Sequence, residues 1–220
     1  MKFDMHVHSS HSADGHAAPR QILKQARRLG LDGLCIADHN TIAGSLEARK
    51  IASEFKLIVV SGMEISSSGG HILAYGISEG IPRDLDPAET RDRIHSQGGM
   101  AVVPHPYRFW SGLGEEATLA LKPDAVETVN AHSTVRENML AGKLAKRMGL
   151  PRTAGSDSHE LTSFGRAYTI MPDASSEEDM LKAIRTGKTK ARGQSRKTTT
   201  ALKDRTVSVA MWVGRGFKRM

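Results

Sequence analysis

The sequence predicts an α/β fold: repeated strand–helix units whose parallel strands, joined by right-handed crossovers, close into a barrel. Three observations carry this. Short apolar runs alternate with amphipathic stretches from Phe3 to Arg185, the amphipathic stretches begin and end on helix-capping residues, and at least six strands in so short a span favour closure over an open sheet. Each element can be justified in turn.

Phe3–His8 alternates as a strand does, with Phe3, Met5 and Val7 on one face and Asp4, His6 and His8 on the other. Pro19 suits a first helical position, and Ile22, Leu23, Ala26 and Leu29 keep the helical period until Gly30 ends it. Leu34–Ala37 is a short apolar strand delivering Asp38 and His39. A helix over Ile42–Phe55 leads into strand Leu57–Val60 and then the polar Gly62-Met63-Glu64. His71–Ile77 is the next strand. Asp86-Pro87-Ala88-Glu89 opens a helix with a capping Asp, Pro behind it and Glu in the first turn. Strands Met100–Pro104 and Ala125–Asn130 end at His105 and near His132. Helix Val135–Met148 stops at Gly149, Arg152–Ser156 presents Asp157 and His159, and a last helix starts near Ser176.

Length and composition narrow the class. The chain has 220 residues, room for one good-sized domain and a small appendage at roughly 100–200 residues per domain. Its 39% hydrophobic and 25% charged residues provide for a core and argue against wholesale disorder. Its longest apolar runs, Leu57–Val60 and Val207–Val213, are far short of the ~18–20 residues that span a membrane, and MKFDMHVHSS has no secretory apolar stretch. The expectation is a soluble cytoplasmic protein. The single cysteine, Cys35, sits in the apolar LCIA and reads as a small buried hydrophobe, which excludes a disulfide scaffold. The net charge of +7 is unevenly spread: residues 182–220 carry twelve Lys or Arg against Asp204 alone, leaving the body slightly acidic.

His6, His8, His39, Glu64, His105, Asp157 and His159 all fall at or just past the C-terminal ends of these strands, the rim where α/β folds gather their active sites. Singly each is weak. His6-x-His8 puts two imidazoles on one strand face roughly 7 Å apart at Cα, and Asp157-x-His159 repeats that spacing. Glu64 is equally read as a solvated carboxylate, His39 as a helix cap, and His105, between two prolines, as a turn. Their conjunction is what packing does not explain. Imidazoles and carboxylates without thiolates suit Zn²⁺, Mn²⁺ or Fe²⁺, and paired ions ~3.5–4 Å apart are machinery for hydrolysing phosphate esters.

In order, the motifs DMHVHSSHSADG, IADHNT, GMEIS, GGHILAYG, VVPHPYR and AGSDSH resemble the PHP (polymerase and histidinol phosphatase) superfamily of metal-dependent phosphoesterases over most of residues 1–185. That resemblance implies a distorted (β/α)7 barrel over residues 1–186, with two or three divalent ions at its C-terminal face. It implies His6, His8, Glu64 and Asp157 for a first ion, with Glu64 bridging to a second held by His71 and His105. Asp14, His39 and His159 would hold a third. Asp14 and His71 enter only through the resemblance. His132, in NAHS, is expected to face substrate or to support the ligands from behind, with direct metal ligation the lesser reading.

A phosphorylated substrate needs cationic partners. Arg108 is the leading candidate because its planar fork matches two phosphate oxygens; Arg136 and Arg166 follow. The expected nucleophile is a metal-bridging hydroxide, with the substrate a nucleotide, a small phosphorylated metabolite or an oligonucleotide end. The competing class is a non-catalytic nucleic-acid-binding subunit of an RNA-processing assembly; the filled set of nine ligand positions favours the enzyme. The basic extension, residues 187–220, has three readings: docking or oligomer contact, attraction of nucleic acid by its charge, or contact with a membrane surface.

Overall fold

The computed structural model describes residues 1–172 and 174–196. Along the chain run β1 (Lys2–Val7), α1 (Pro19–Arg28), β2 (Gly33–Ile36), α2 (Ala43–Ile51), β3 (Ile58–Val60), β4 (Gly62–Ser66), β5 (His71–Tyr75) and α3 (Pro87–Ser96). There follow β6 (Met100–Val103), α4 (Glu115–Leu121), β7 (Ala125–Asn130), α5 (Val135–Met148), β8 (Arg152–Gly155), β9 (Ala167–Ile170), α6 (Glu177–Arg185) and β10 (Lys190–Gly193). Among the described residues no helix is long and apolar enough to cross a membrane.

The strands form two five-stranded mixed sheets, ordered β10-β9-β1-β2-β3 and β4-β5-β6-β7-β8. This corrects the expectation of an all-parallel sheet: β1–β2–β3 and β6–β7–β8 are parallel, whereas β5 is antiparallel to both neighbours and β9 to β1. The β4–β5 connection spans only residues 67–70, too short for the crossover a parallel pair needs. The ladders do not close into one cylinder. At the strands' C-terminal ends, however, the sheets meet at two seams, His39 bridging to Glu64 and Val7 to Ser158. Backbone hydrogen bonds sew them: Glu64 N–H donates to the Asp38 carbonyl (3.1 Å) and Asp157 N–H to the His6 carbonyl (2.7 Å).

Three apolar layers support this frame. Phe3, Met5, Leu73, Tyr75, Met100 and Val102 share a cluster with Met180, Leu181 and Ile184 of α6. α1 buries Ile22, Leu23 and Ala26 against Leu34 and Ile36 of the first sheet, and Ile94 of α3 packs with Ile72 and Val103 of the second. β1 is therefore buried on both faces, including Asp4 and His6, and His8 just past its end is buried too. Asp4 is satisfied by backbone N–H donors from Ser156 (2.8 Å) and Gly165 (3.0 Å), which lock β1 against the chain around β8.

The capping signals are realised. Asp86 accepts from Ala88 N–H, Thr134 and Glu137 form a reciprocal box, and Ser176 accepts from Asp179 N–H. The expected helix to Phe55 ends at Ile51 and continues as a 3-10 turn, closed by Lys56 at φ +53°. Four elements carried no legible signal: β4 reads as a polar stretch, α4 is too short to show a period, β9 is a four-residue strand, and β10 (KARG) is a polar edge that pairs through its backbone. The basic stretch from residue 187 thus contributes a strand to the first sheet. The apolar segment expected to dock or self-associate, Val207–Phe217, lies outside the described residues.

Candidate metal centre

All nine candidate ligands meet on one rim. Glu64 lies within β4, not in the turn its Gly-Met context implied, and His71 opens the antiparallel β5, so its N-terminal end reaches the same rim. His6 is inside β1 and His8 just beyond it. His105 and Asp157 leave β6 and β8 with left-handed backbones, φ +29° and +53°, conformations costly for residues with a Cβ and typical of functional sites.

Glu64 is the hub. Its Oε1 lies 2.8 Å from His71 Nδ1 and 3.1 Å from His105 Nε2; its Oε2 lies 3.2 Å from His6 Nε2, 3.3 Å from His39 Nδ1 and 3.4 Å from His8 Nε2. His8 Nε2 is 3.2 Å from Asp157 Oδ1, and Asp14 Oδ2 is 3.1 Å from His159 Nε2 and 3.6 Å from His39 Nε2. Three groups of donor atoms result, each within 4.8 Å: His6, His8, Glu64 and Asp157; His8, Asp14, His39 and His159; and His39, Glu64 and His71. His105 joins through Glu64 Oε1. The first group coincides with the expected first set, and His8, His39 and Glu64 are each shared between two groups.

The donors fit a divalent ion. His6 Nε2 and His8 Nε2 lie 3.2 Å apart and both face oxygens of Glu64 and Asp157, so four donor atoms gather within 4.8 Å, and the buried Nδ1 atoms of His8 and His105 meet no hydrogen-bond partner. A nitrogen–oxygen set of this kind, without thiolate, suits a borderline divalent ion.

The electrostatics are divided. Burial pushes His8 down to about 3, more than Asp157 restores, and burial with Arg108 nearby takes His105 to about 3. For His6 burial acts in the same direction, yet Asp157, Glu64 and Glu127 outweigh it and raise it well above the ordinary range. Glu64 and Asp157 are held well below the carboxylate range despite burial, by His71, His6 and His39 around the first and by Arg108 and His6 around the second. Asp14 is likewise lowered against its burial by His159, and His159 raised by Asp14.

Arg108 donates from Nη2 to Asp157 Oδ2 (2.6 Å) and Asn130 Oδ1 (3.0 Å), with its side chain 27% exposed at the mouth. His132 stands outside the three groups: its ring lies 5.9 Å from that of His159, its N–H donates to Asn130, and burial lowers it to about 4. Arg196 is brought beside it, its N–H donating to the Ser133 carbonyl (2.8 Å). Arg136 is exposed on α5, and Arg166 donates to the Thr162 carbonyl. His11 and His95 pair with Glu47 and Asp124, away from the ligand groups. Glu127 and Asn130, both buried in β7 behind the ligands, were missed in the sequence; the signal was a carboxylate between the apolar Val126 and Val129 of a strand.

Comparison with known proteins agrees with this geometry. The PHP domain model matches residues 4–113 and the PHP-associated model residues 135–189. An uncharacterized protein of Methanocaldococcus jannaschii is 37% identical over 161 residues, covering 67% of this chain and 94% of that one. A phosphoribosyl 1,2-cyclic phosphate 1,2-diphosphodiesterase of Eggerthella lenta is 38% identical over 85 residues, 36% of this chain and 32% of its own length. Among solved structures, a two-domain protein from Bacteroides vulgatus containing a predicted PHP-like metal-dependent phosphoesterase superposes with a TM-score of 0.74 at 21% identity. That match covers 88% of this chain and 65% of the other.

Proposed function

The chain belongs to the PHP domain family, and we propose that its imidazole–carboxylate rim binds two or three divalent ions, zinc, manganese or iron, and hydrolyses a phosphomonoester. The single observation that carries this reading is Glu64, one buried carboxylate within 3.4 Å of five imidazoles supplied by four strands and their ends. Ions held there supply Lewis acidity toward a phosphoryl oxygen and bring the ionisation of water near neutral pH.

The remaining roles belong to the protein. His6, His8, Glu64 and Asp157 hold one ion, Glu64 with His71 and His105 a second, and Asp14, His39 and His159 a third. Arg108, at the mouth beside Asp157, receives the substrate phosphate, and His132 lines the approach. The distorted (β/α)7 barrel is part of the same reading, supported by the two seams that join the sheets at this rim. The substrate is a nucleotide, a small phosphorylated metabolite or an oligonucleotide end; the Eggerthella relative is named for a phosphoribosyl cyclic phosphate, which supports a phosphate-ester substrate without favouring a monoester over a diester.

The test is phosphate release from a panel of nucleotides, sugar phosphates, histidinol phosphate and short 5′-phosphorylated oligonucleotides, with Mn²⁺ or with a chelator. Chelator-sensitive release is expected. Release that persists at full rate in the chelator would refute the metal reading.

A further inference from the structure

Glu127 touches two candidate ligands of different ions without belonging to either set. It lies in β7, 1% exposed, and its two oxygens do different work. Oε1 lies 3.1 Å from His6 Nδ1, while Oε2 accepts from the backbone N–H of His105 (3.2 Å) and from Asn130 Nδ2 (2.9 Å). Asn130, fully buried, donates from that same nitrogen to Asp157 Oδ2 (3.1 Å) and accepts at Oδ1 from Arg108 and from His132 N–H. Its own backbone is clamped by Asn138 of α5.

We infer that Glu127 is a positioning residue for the metal cluster, one side chain that sets the His6 tautomer and holds the His105 backbone. Both ring nitrogens of His6 face carboxylate oxygens, Nδ1 that of Glu127 and Nε2 those of Glu64 and Asp157. An ion among Glu64, His8 and Asp157 would take the Nε2 lone pair, which leaves the ring hydrogen on Nδ1, where Glu127 accepts it. At His105 the problem is backbone strain: a non-glycine residue at φ +29° between two prolines needs an anchor, and Oε2 supplies it at the amide. Through Asn130 the same carboxylate braces Asp157. Ligands of two ions therefore depend on one buried group, and this inference rests on the metal reading above.

Glu127→Gln tests it. The amide has one acceptor and one N–H₂, so either orientation sets N–H against N–H, at His6 or at His105 and Asn130. Facing its N–H₂ to His6 would drive the ring hydrogen to Nε2, where a ligand needs its lone pair. In competition of full-length protein against a chromogenic chelator for Zn²⁺ or Mn²⁺ alone, affinity is expected to fall about 10–100-fold. A purely structural Glu127 would lower the melting temperature of the metal-free chain yet leave ion affinity unchanged, and that result overturns the inference. If the wild type itself takes up no ion, the metal reading fails and this inference with it. Should Glu127→Gln not fold, ¹⁵N imidazole NMR of the zinc-loaded wild type decides: hydrogen on His6 Nδ1 supports the inference, and hydrogen on Nε2 overturns it.

Discussion

At the residue scale, the reactivity of this protein concentrates in side chains that are costly to bury and are buried together. His6, His8, Glu64, His105 and Asp157 are each at most 3% exposed, a price that core packing alone gives no reason to accept. Removing one member should act on chemistry before it acts on the fold. Asp157→Asn and His8→Ala are each expected to lower chelator-sensitive turnover about a hundred-fold or more, the scale of losing one electrostatic contact to a transition state. Far-UV circular dichroism should stay at its wild-type form. Wild-type turnover in either variant would place the metal elsewhere.

Elements decide whether those residues meet. β8 crosses β1 so closely that a Cβ on Gly155 would stand 2.3 Å from His6 Cβ and 2.6 Å from its backbone nitrogen. Gly155→Ala must push the two strands apart. It should lose about 1–3 kcal/mol in urea titration, as overpacking does, and raise the Mn²⁺ concentration needed for half-maximal rate. The contrast is Thr134→Ala, which removes the cap of α5 on the outer layer. It should cost about 1 kcal/mol of stability and leave turnover at saturating Mn²⁺ unchanged. Equal effects of the two on metal demand would mean that the β1–β8 contact has no special part in placing His6.

For the whole molecule, the opposed histidine shifts predict a metal-free stability optimum near pH 6.5, the ordinary histidine value. Below it, His8 and His105 (about 3) and His132 (about 4), pushed down mainly by burial, stay neutral in the fold. The unfolded chain takes up protons there, so stability falls as pH drops from 6.5 toward 4. Asp4, raised by burial to about 7, and Asp38, also raised by burial, act in the opposite direction over that range. Above the optimum, His6 and His159, raised by their carboxylate neighbours against burial, hold protons that the unfolded chain has released, and stability falls as pH rises through their folded values. Melting temperatures in chelator from pH 4 to 9 should trace that dome; a monotonic rise through pH 9 would contradict it. The charge of the extension makes a separate prediction. Glutamine at Lys197, Lys203, Arg205, Arg215, Lys218 and Arg219 should weaken oligonucleotide binding at low salt by about ten-fold or more and flatten its salt dependence. Turnover of a mononucleotide should remain unchanged.

Most helices and the strands that carry ligands, β4 excepted, were legible in the sequence, because caps and short apolar runs are local signals: Asp86, Ser176 and the Thr134–Glu137 box mark their helices without outside help. Seven of the nine candidate ligands fall at strand ends that the sequence marks, whereas Asp14 and His71 enter only through the family resemblance of their motifs. What the sequence left open was decided by pairing. β5 runs antiparallel because four residues cannot cross over, and β10 exists only because β9 offers it an edge. The work of Glu127 and Asn130 likewise appears only once β7 lies behind His6 and His105. Local propensity is written residue by residue, whereas strand direction, edge pairing and the partners of a buried carboxylate are settled by which segments share a volume. The donor atoms offered at the rim thus follow from residue types that local order brings to strand ends, and the packing of β1, β4, β7 and β8 sets how those donors are held.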